Sequence, residues 1–173
     1  MPPTIRTHRL ELIAGDATLS RAAVASDRAR LAELLEAKVP KDWPPELMAE
    51  DQAAFAARHE GDSELAGWLN WFVVRVGRTR TLVGGCGLGG APNDAGDVMI
   101  GYAMLPAFQK KGYATEAVGA LIDWAFEDPR TRGIVGQTYD YLVPSIKVME
   151  RNGLTLVAKG PEAGLLTYAL RRT

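Results

Sequence analysis

Two glycine-containing runs hold the residues of this chain best suited to grip a phosphate. The first, Gln109-Lys110-Lys111-Gly112-Tyr113-Ala114, stands just ahead of a segment whose apolar residues recur at helical spacing. The opening amides of a helix lack intrahelical partners and its dipole adds partial positive charge, so a strand-loop-helix junction here can hold a pyrophosphate. Gly112 permits close approach of the main chain, Lys110 and Lys111 add local charge, and Ala114 keeps the first turn small. An ordinary solvated basic loop at a helix start fits the spacing equally well. The second run, Gly85-Cys86-Gly87-Leu88-Gly89-Gly90, matches G-x-G-x-x-G behind a strand, as in a nucleotide-dependent enzyme that would bind NAD or ATP. That fingerprint needs a helix directly behind the glycines. Ala91-Pro92-Asn93-Asp94-Ala95-Gly96 reads as a loop, so a flexible or bulged strand end is the better reading.

Other chemistries find less support. Cys86 is the one cysteine, which excludes an intrachain disulfide and a multi-cysteine zinc site and reads as an inert packed thiol. His8 and His59 are isolated from each other and from ligand-spaced partners, so no metal is expected and both are assigned surface or capping roles. Twenty Lys and Arg against twenty-one Asp and Glu give a net charge of -1, so no global field favours nucleic acid or an anionic membrane. Any anionic ligand must therefore be held locally.

These residues need elements to position them. Ile5 to Ile13 reads as an opening strand, and Leu19 to Leu35 as one amphipathic helix. Prolines bar helix through Val39 to Pro45, after which Leu47, Ala54, Phe55 and Arg58 mark a second helix. Asn70–Val76 and Thr81–Leu88 read as strands joined by a hairpin loop, and Asp97 to Met104 alternates as a third, stopped at Pro106. Ala114, Ala117, Val118, Leu121, Ile122 and Ala125 form the stripe of a helix over Gly112 to Phe126. Gly133 to Tyr139 then reads as a strand, Ser145 to Asn152 as a short helix, and Leu154–Ala158 and Leu165–Leu170 as strands. The order βααβββαβαββ describes a mixed α/β domain spanning residues 1–173.

At Gln109, Gly112 and Ala114 the chain resembles the GNAT N-acetyltransferase superfamily, whose acyl-CoA signature is Q/R-x-x-G-x-G/A between a strand and a helix. Ile100-Gly101-Tyr102 through Pro106 and Glu116-Ala117 extend the likeness. Pro144-Ser145-Ile146-Lys147-Val148-Met149-Glu150-Arg151-Asn152-Gly153 and the opening Thr7-His8-Arg9-Leu10 are similar to the branch that acetylates ribosomal-protein N-termini. The resemblance covers nearly the whole chain and implies a mostly antiparallel sheet flanked by helices.

It also implies acetyl-CoA as co-substrate, its pyrophosphate held by Gln109, Lys110, Lys111, Gly112, Tyr113 and Ala114, and its pantetheine arm paired with the main chain at Met104 and Leu105. The implied reaction is direct attack by an amine of a protein N-terminus or small molecule, with no metal. The carboxylate that many members carry on this strand is replaced by Met99, which leaves Asp97, two residues earlier on the same face, as the substitute base. The family's frequent Asn is Leu142 here, and its thiolate-protonating Tyr falls at Met149. Candidate acids are therefore Ser145, Tyr139 and Tyr141, with Ser145 favoured and also readable as a helix N-cap or a contact to CoA. Trp43, in the proline-bounded loop, and Met99 are assigned to the acceptor pocket, while Trp68 and Trp71 are assigned to packing. Asp42, Glu46, Glu50 and Asp51 make the loop acidic, which suits a cationic acceptor or a simple solvated face. Met99 and Leu142 also fit a non-catalytic acyl-CoA-binding or regulatory module. The N-terminus lacks a secretory h-region and no apolar run spans a bilayer, so a cytoplasmic protein is expected; exposed strand edges and family habit admit a homodimer.

Overall fold

The computed structural model describes residues 2–173. Eight strands form one sheet in the order β1-β2-β3-β4-β5-β6-β8-β7. They are β1 (Thr4–Arg6), β2 (Leu10–Ala14), β3 (Asn70–Arg75), β4 (Thr81–Leu88), β5 (Asp97–Met104), β6 (Gly133–Tyr139), β7 (Thr155–Lys159) and β8 (Leu165–Arg171). The helices are α1 (Ala17–Val24), α2 (Arg28–Leu35), α3 (Gln52–Gly61), α4 (Tyr113–Glu127) and α5 (Val143–Arg151), with 3₁₀ turns at Glu46–Asp51, Ser63–Leu65 and Pro106–Phe108. Every neighbouring pair is antiparallel except β5–β6, which is parallel. A parallel pair needs a crossover, and α4 supplies it. The fold is thus the mixed α/β class that the pattern predicts, with the mostly antiparallel sheet that the resemblance implies.

The two faces of the sheet bury separate cores. On one, Ala117, Val118, Leu121, Ile122 and Ala125 of α4 pack on Leu12, Val73, Cys86, Val98 and Ile100. On the other, Leu19, Leu31 and Leu35 of α1 and α2 cover Phe72, Val74 and Leu82. A bulge where β3 shifts register between Val73 and Val74 lets Val83, Cys86 and Leu88 of β4 share the α4 face despite their mixed parity. Cys86 is buried there, and burial pushes its thiol far up, as an inert packed thiol requires. Trp68 and Trp71 pack on Trp124 at ring-centroid distances of 4.9 and 5.3 Å.

The structure divides two segments that the periodicity reads as single. The strand over Ile5 to Ile13 is the β1–β2 hairpin, turned at Thr7 to Arg9, where the Thr7 hydroxyl accepts from Leu10 N–H at 3.1 Å. The helix over Leu19 to Leu35 breaks at Ser26, whose φ is 54°, and Asp27 caps α2 by accepting from Arg30 N–H. An Asp side chain competes for backbone donors in a helix interior and is worth more as a cap. Behind Gly89 and Gly90 the next element is β5, so no helix opens there and the dinucleotide reading fails.

Candidate active site

The parallel seam between β5 and β6 is short. It runs from Asp97↔Gly133 to Ile100↔Gly136 and stops, although β5 continues to Met104 and β6 to Tyr139. Beyond the seam β5 stays with β4 as far as Gly84↔Met104, and β6 stays with β8 as far as Tyr139↔Leu165. The strands therefore splay apart, and main-chain groups that would have paired across the sheet face a gap.

The N-termini of α4 and α5 flank this gap. Asp16 and Asp27 cap α1 and α2 with side-chain carboxylates, whereas α4 and α5 have no side-chain cap. Gly112 is the N-cap of α4 with φ 83°, and Lys110 is also left-handed at φ 61°. This backbone turns the loop so that the first amides of α4 point outward, the geometry of an anion site at a helix start. The Gln109 side chain closes the loop by donating to the Met104 carbonyl at 3.1 Å.

A latch from the far end of the sheet holds the loop in place. Glu116, in the first turn of α4, accepts from the Thr7 hydroxyl at 2.6 Å, the Arg9 N–H at 2.8 Å and the Arg9 Nε at 2.7 Å. Arg9 also donates to the Lys111 carbonyl at 2.9 Å and lies 4.6 Å over the Tyr113 ring. Burial alone would raise the Glu116 carboxyl, but the bonds from Thr7 and Arg9 outweigh it and hold the group below the usual carboxylate range. The Thr7, Arg9 and Glu116 positions noted in the sequence are one structural unit.

Across the gap, the Tyr102 hydroxyl of β5 donates to the Ser145 carbonyl at 2.8 Å and lies 3.0 Å from Ser145 Oγ. Since α5 begins at Val143 behind an Leu142 N-cap, Ser145 is not the cap, and its hydroxyl is engaged with Tyr102. Burial pushes the Tyr102 phenol above its ordinary value, with the bond to Ser145 pulling partly back. The sequence reading places Tyr102 in the alternating strand and in the run that resembles the family but gives it no chemical role.

Thr138 is another residue the sequence does not single out. It lies on β6 two residues beyond the last β5 pair, on the face where Gly136 meets Met149 of α5. It is 5% exposed, and its Oγ1 is buried without a partner. Of the four such atoms among the described residues, it alone belongs to the splayed strands. An unpaired buried hydroxyl costs about 1–3 kcal/mol. Thr138→Val is therefore expected to raise the melting temperature of the free protein, by roughly 2–12 °C, while weakening any ligand that donates to or accepts from this hydroxyl. A calorimetric scan with and without acetyl-CoA measures both, and a variant less stable than wild type without ligand would count against the assignment.

Comparison with known proteins decides what family this geometry serves: residues 17–155 match the profile of an acetyltransferase (GNAT) domain. The chain belongs to the GNAT family of acyl-CoA-dependent N-acetyltransferases. It is 28% identical over 158 residues to an uncharacterized N-acetyltransferase, YjdG, of Bacillus subtilis (strain 168), covering 91% of this chain and 93% of that one. The fold is also that of RimL, a ribosomal L7/L12 alpha-N-protein acetyltransferase solved with coenzyme A, at TM-score 0.66 and 21% identity over 98% of both chains. A ribosomal-protein-S5-alanine acetyltransferase from Vibrio fischeri superposes at TM-score 0.67 with 15% identity, over 98% of this chain and 96% of the other.

In this GNAT chain the remaining candidate residues fall in different places. Asp97 is at the start of β5, where the seam is closed, and its carboxylate is engaged by Arg171. Met99 is 43% exposed on the sheet face away from α4. On that face Gly101 pairs with Gly87, and a side chain at Gly101 would meet nothing within 4 Å. The acidic 3₁₀ turn Glu46–Asp51 borders the same face, with Met48 lying against Gly85. Trp43 is 7% exposed and packs 6.0 Å from Phe72, and its N–H donates to the Pro40 carbonyl. It is core, not pocket wall. Leu105 is fully buried and its N–H is spent on the Val83 carbonyl. His59 is also buried, its Nε2 2.8 Å from Asn70 Oδ1, and so occupies neither surface nor cap. Tyr139 stacks on Tyr141 at 5.5 Å and donates to Glu162 at 3.1 Å, which pushes its phenol up. Among the described residues no helix is long and apolar enough to cross a membrane.

Proposed function

We propose that this chain transfers the acetyl group of acetyl-CoA to a primary amine of a protein N-terminus or a small molecule, using the β5–β6 gap as its cofactor channel. The observation that supports the reading is an uncapped, latched α4 N-terminus at the mouth of the gap where β5 and β6 cease to pair. In this reading the first amides of α4, with Lys110 and Lys111, hold the pyrophosphate. Main-chain groups around Met104 take the amides of the extended arm. Bound acetyl-CoA supplies an activated thioester to the amine. Ser145 Oγ holds the proton given to the departing sulfur, Tyr102, whose phenol burial raises, restores it, and water returns the proton to Tyr102.

The acceptor reaches the gap over Gly101 from the open face, between Met99 and the acidic turn of Glu46, Glu50 and Asp51, a setting that favours a cationic amine. Asp97 is held by Arg171 at the closed end of the seam, so the ammonium proton leaves through water rather than to that carboxylate. The names of the ribosomal-protein acetyltransferases support a protein N-terminus as one acceptor class to try.

Thermal stability with acetyl-CoA, CoA, NAD and ATP tests the cofactor. A ligand at a hundred times its Kd adds about 2.7 kcal/mol, which is roughly 5–11 °C for a chain of this length. Both CoA species are expected to give this shift, NAD and ATP none, and Lys110→Glu with Lys111→Glu should abolish it. No shift with saturating CoA would refute the channel. Shift without free thiol released above background across an amine panel would support instead a CoA-binding module, for which Met99 and Leu142 speak.

A further inference from the structure

A second cationic site backs onto the cofactor loop from the other face of the sheet. A cleft of about 650 Å³ lies between α2, the segment after it, the β3–β4 hairpin and the Pro106–Phe108 turn. That volume is in the ordinary range of small-molecule sites. Arg28, Lys38, Lys41 and Arg75 line it, from three separate parts of the chain, against one carboxylate, Asp42. None of the four forms an ion pair among the described residues, although seven other arginines do: Arg6, Arg9, Arg21, Arg30, Arg80, Arg130 and Arg171.

The protein carries no excess of positive charge that would scatter such residues by chance, since its net charge is -1. Four unneutralised cations around one concavity repel one another, and an anion relieves that repulsion. The frame is fixed. Lys38 donates its N–H to the Arg80 carbonyl at 2.8 Å and accepts from Leu82 N–H at 2.9 Å, which splices it to the start of β4. The Arg75 guanidinium lies 5.4 Å over the Phe108 ring, and Val39 is buried beneath. Charge at the rim and apolar surface at the floor suit a molecule with both.

We infer that this cleft binds a small phosphorylated ligand with an apolar or planar body, at a site separate from the α4 N-terminus. The cleft borders the core formed with α1 and α2, whereas α4 packs on the opposite face. Phe108 packs against both cores and immediately precedes Gln109, so a ligand in the cleft would touch the residue that leads into the cofactor loop.

Phenyl phosphate, titrated calorimetrically into the full chain saturated with CoA, tests the inference. Stoichiometric binding is expected, weakened at least about tenfold in Lys38→Glu with Lys41→Glu, since one lost phosphate contact is commonly worth that factor. Both lysines are exposed, so the double variant should fold, and its stabilisation by CoA serves as the control. Absence of binding, or equal binding by the double variant, would overturn the site. Binding blocked by CoA but restored with 3′-dephospho-CoA would overturn it as a separate site, because the cofactor's own 3′-phosphate would then be the occupant. A failure of CoA itself to stabilise the protein bears on the proposed activity and leaves this titration, run without CoA, still decisive.

Discussion

Ser145→Ala is expected to lower kcat at least about a hundredfold, because a positioned acid contributes roughly 10²–10⁴ to the rate. Its side-chain hydrogen bond is to the Tyr102 hydroxyl at 3.0 Å, and α5 starts two residues earlier without a side-chain cap, so removing it takes away no cap. KM for acetyl-CoA should stay within a few-fold. Tyr102→Phe keeps the half-buried ring and loses only the hydroxyl, so a smaller fall, roughly tenfold, is expected, below what a direct acid contributes because Tyr102 acts through Ser145. The signature that separates proton transfer from mere positioning is the pH profile of kcat. Wild type should decline at high pH as the raised Tyr102 phenol ionises, and Tyr102→Phe should lack that limb. Steady-state thiol release across pH is the measurement, and a Ser145→Ala enzyme within twofold of wild type would dismiss Ser145 as the acid.

Glu116→Ala should cost the most stability of any single surface-accessible change near the site. It deletes three bonds, two of them from Arg9, and leaves Thr7 and Arg9 without their partner. Bonds to a charged group are worth about 1.5–3 kcal/mol each before relaxation, so a loss of about 3 kcal/mol, or roughly 6–12 °C in Tm, is expected. The pH dependence has a definite sign. A carboxyl held below its ordinary value in the folded state stabilises above the unfolded pKa, about 4.3, and that stability is lost as pH falls through the lower folded value. The stability difference between wild type and Glu116→Gln should therefore be largest near neutrality and shrink in acid. Urea titrations at a series of pH values read it directly, and a gap that grows in acid would contradict the latch.

The elements that carry the chemistry were legible because their signals are local. Val98, Ile100, Tyr102 and Met104 alternate at period two, and α4 shows its stripe from Ala114 to Ala125 between Gly112 and Asp128. What the sequence withholds is whatever depends on a distant partner. Nothing near Asp97 announces Arg171, seventy-four positions away, and nothing near Glu116 announces Thr7. Trp43 looked like a loop residue free to line a pocket, but burial belongs to the tertiary path of the chain, not to the prolines around it. The hairpin at Thr7 to Arg9 and the break at Ser26 were hidden for a related reason: apolar residues on both sides keep a periodicity that a short polar turn barely interrupts. Ser145 and Tyr102 both lie in segments that resemble the family, but only Ser145 was given a role, because a strand tyrosine reads first as packing.

The four-pair seam at Asp97 to Ile100 reverses where a sheet usually keeps its unsatisfied backbone. Open edges ordinarily lie at the rim, where they invite strands of other proteins and are guarded by charge or brevity. Here an equivalent edge is recessed at the middle of the sheet, with β4 and β8 already paired on the outer flanks and α4 and α5 at its mouth. An edge recessed in this way offers no outer rim on which a strand of another chain could add. In the proposed reading those same unpaired groups are left for the amides of a thin, extended ligand arm.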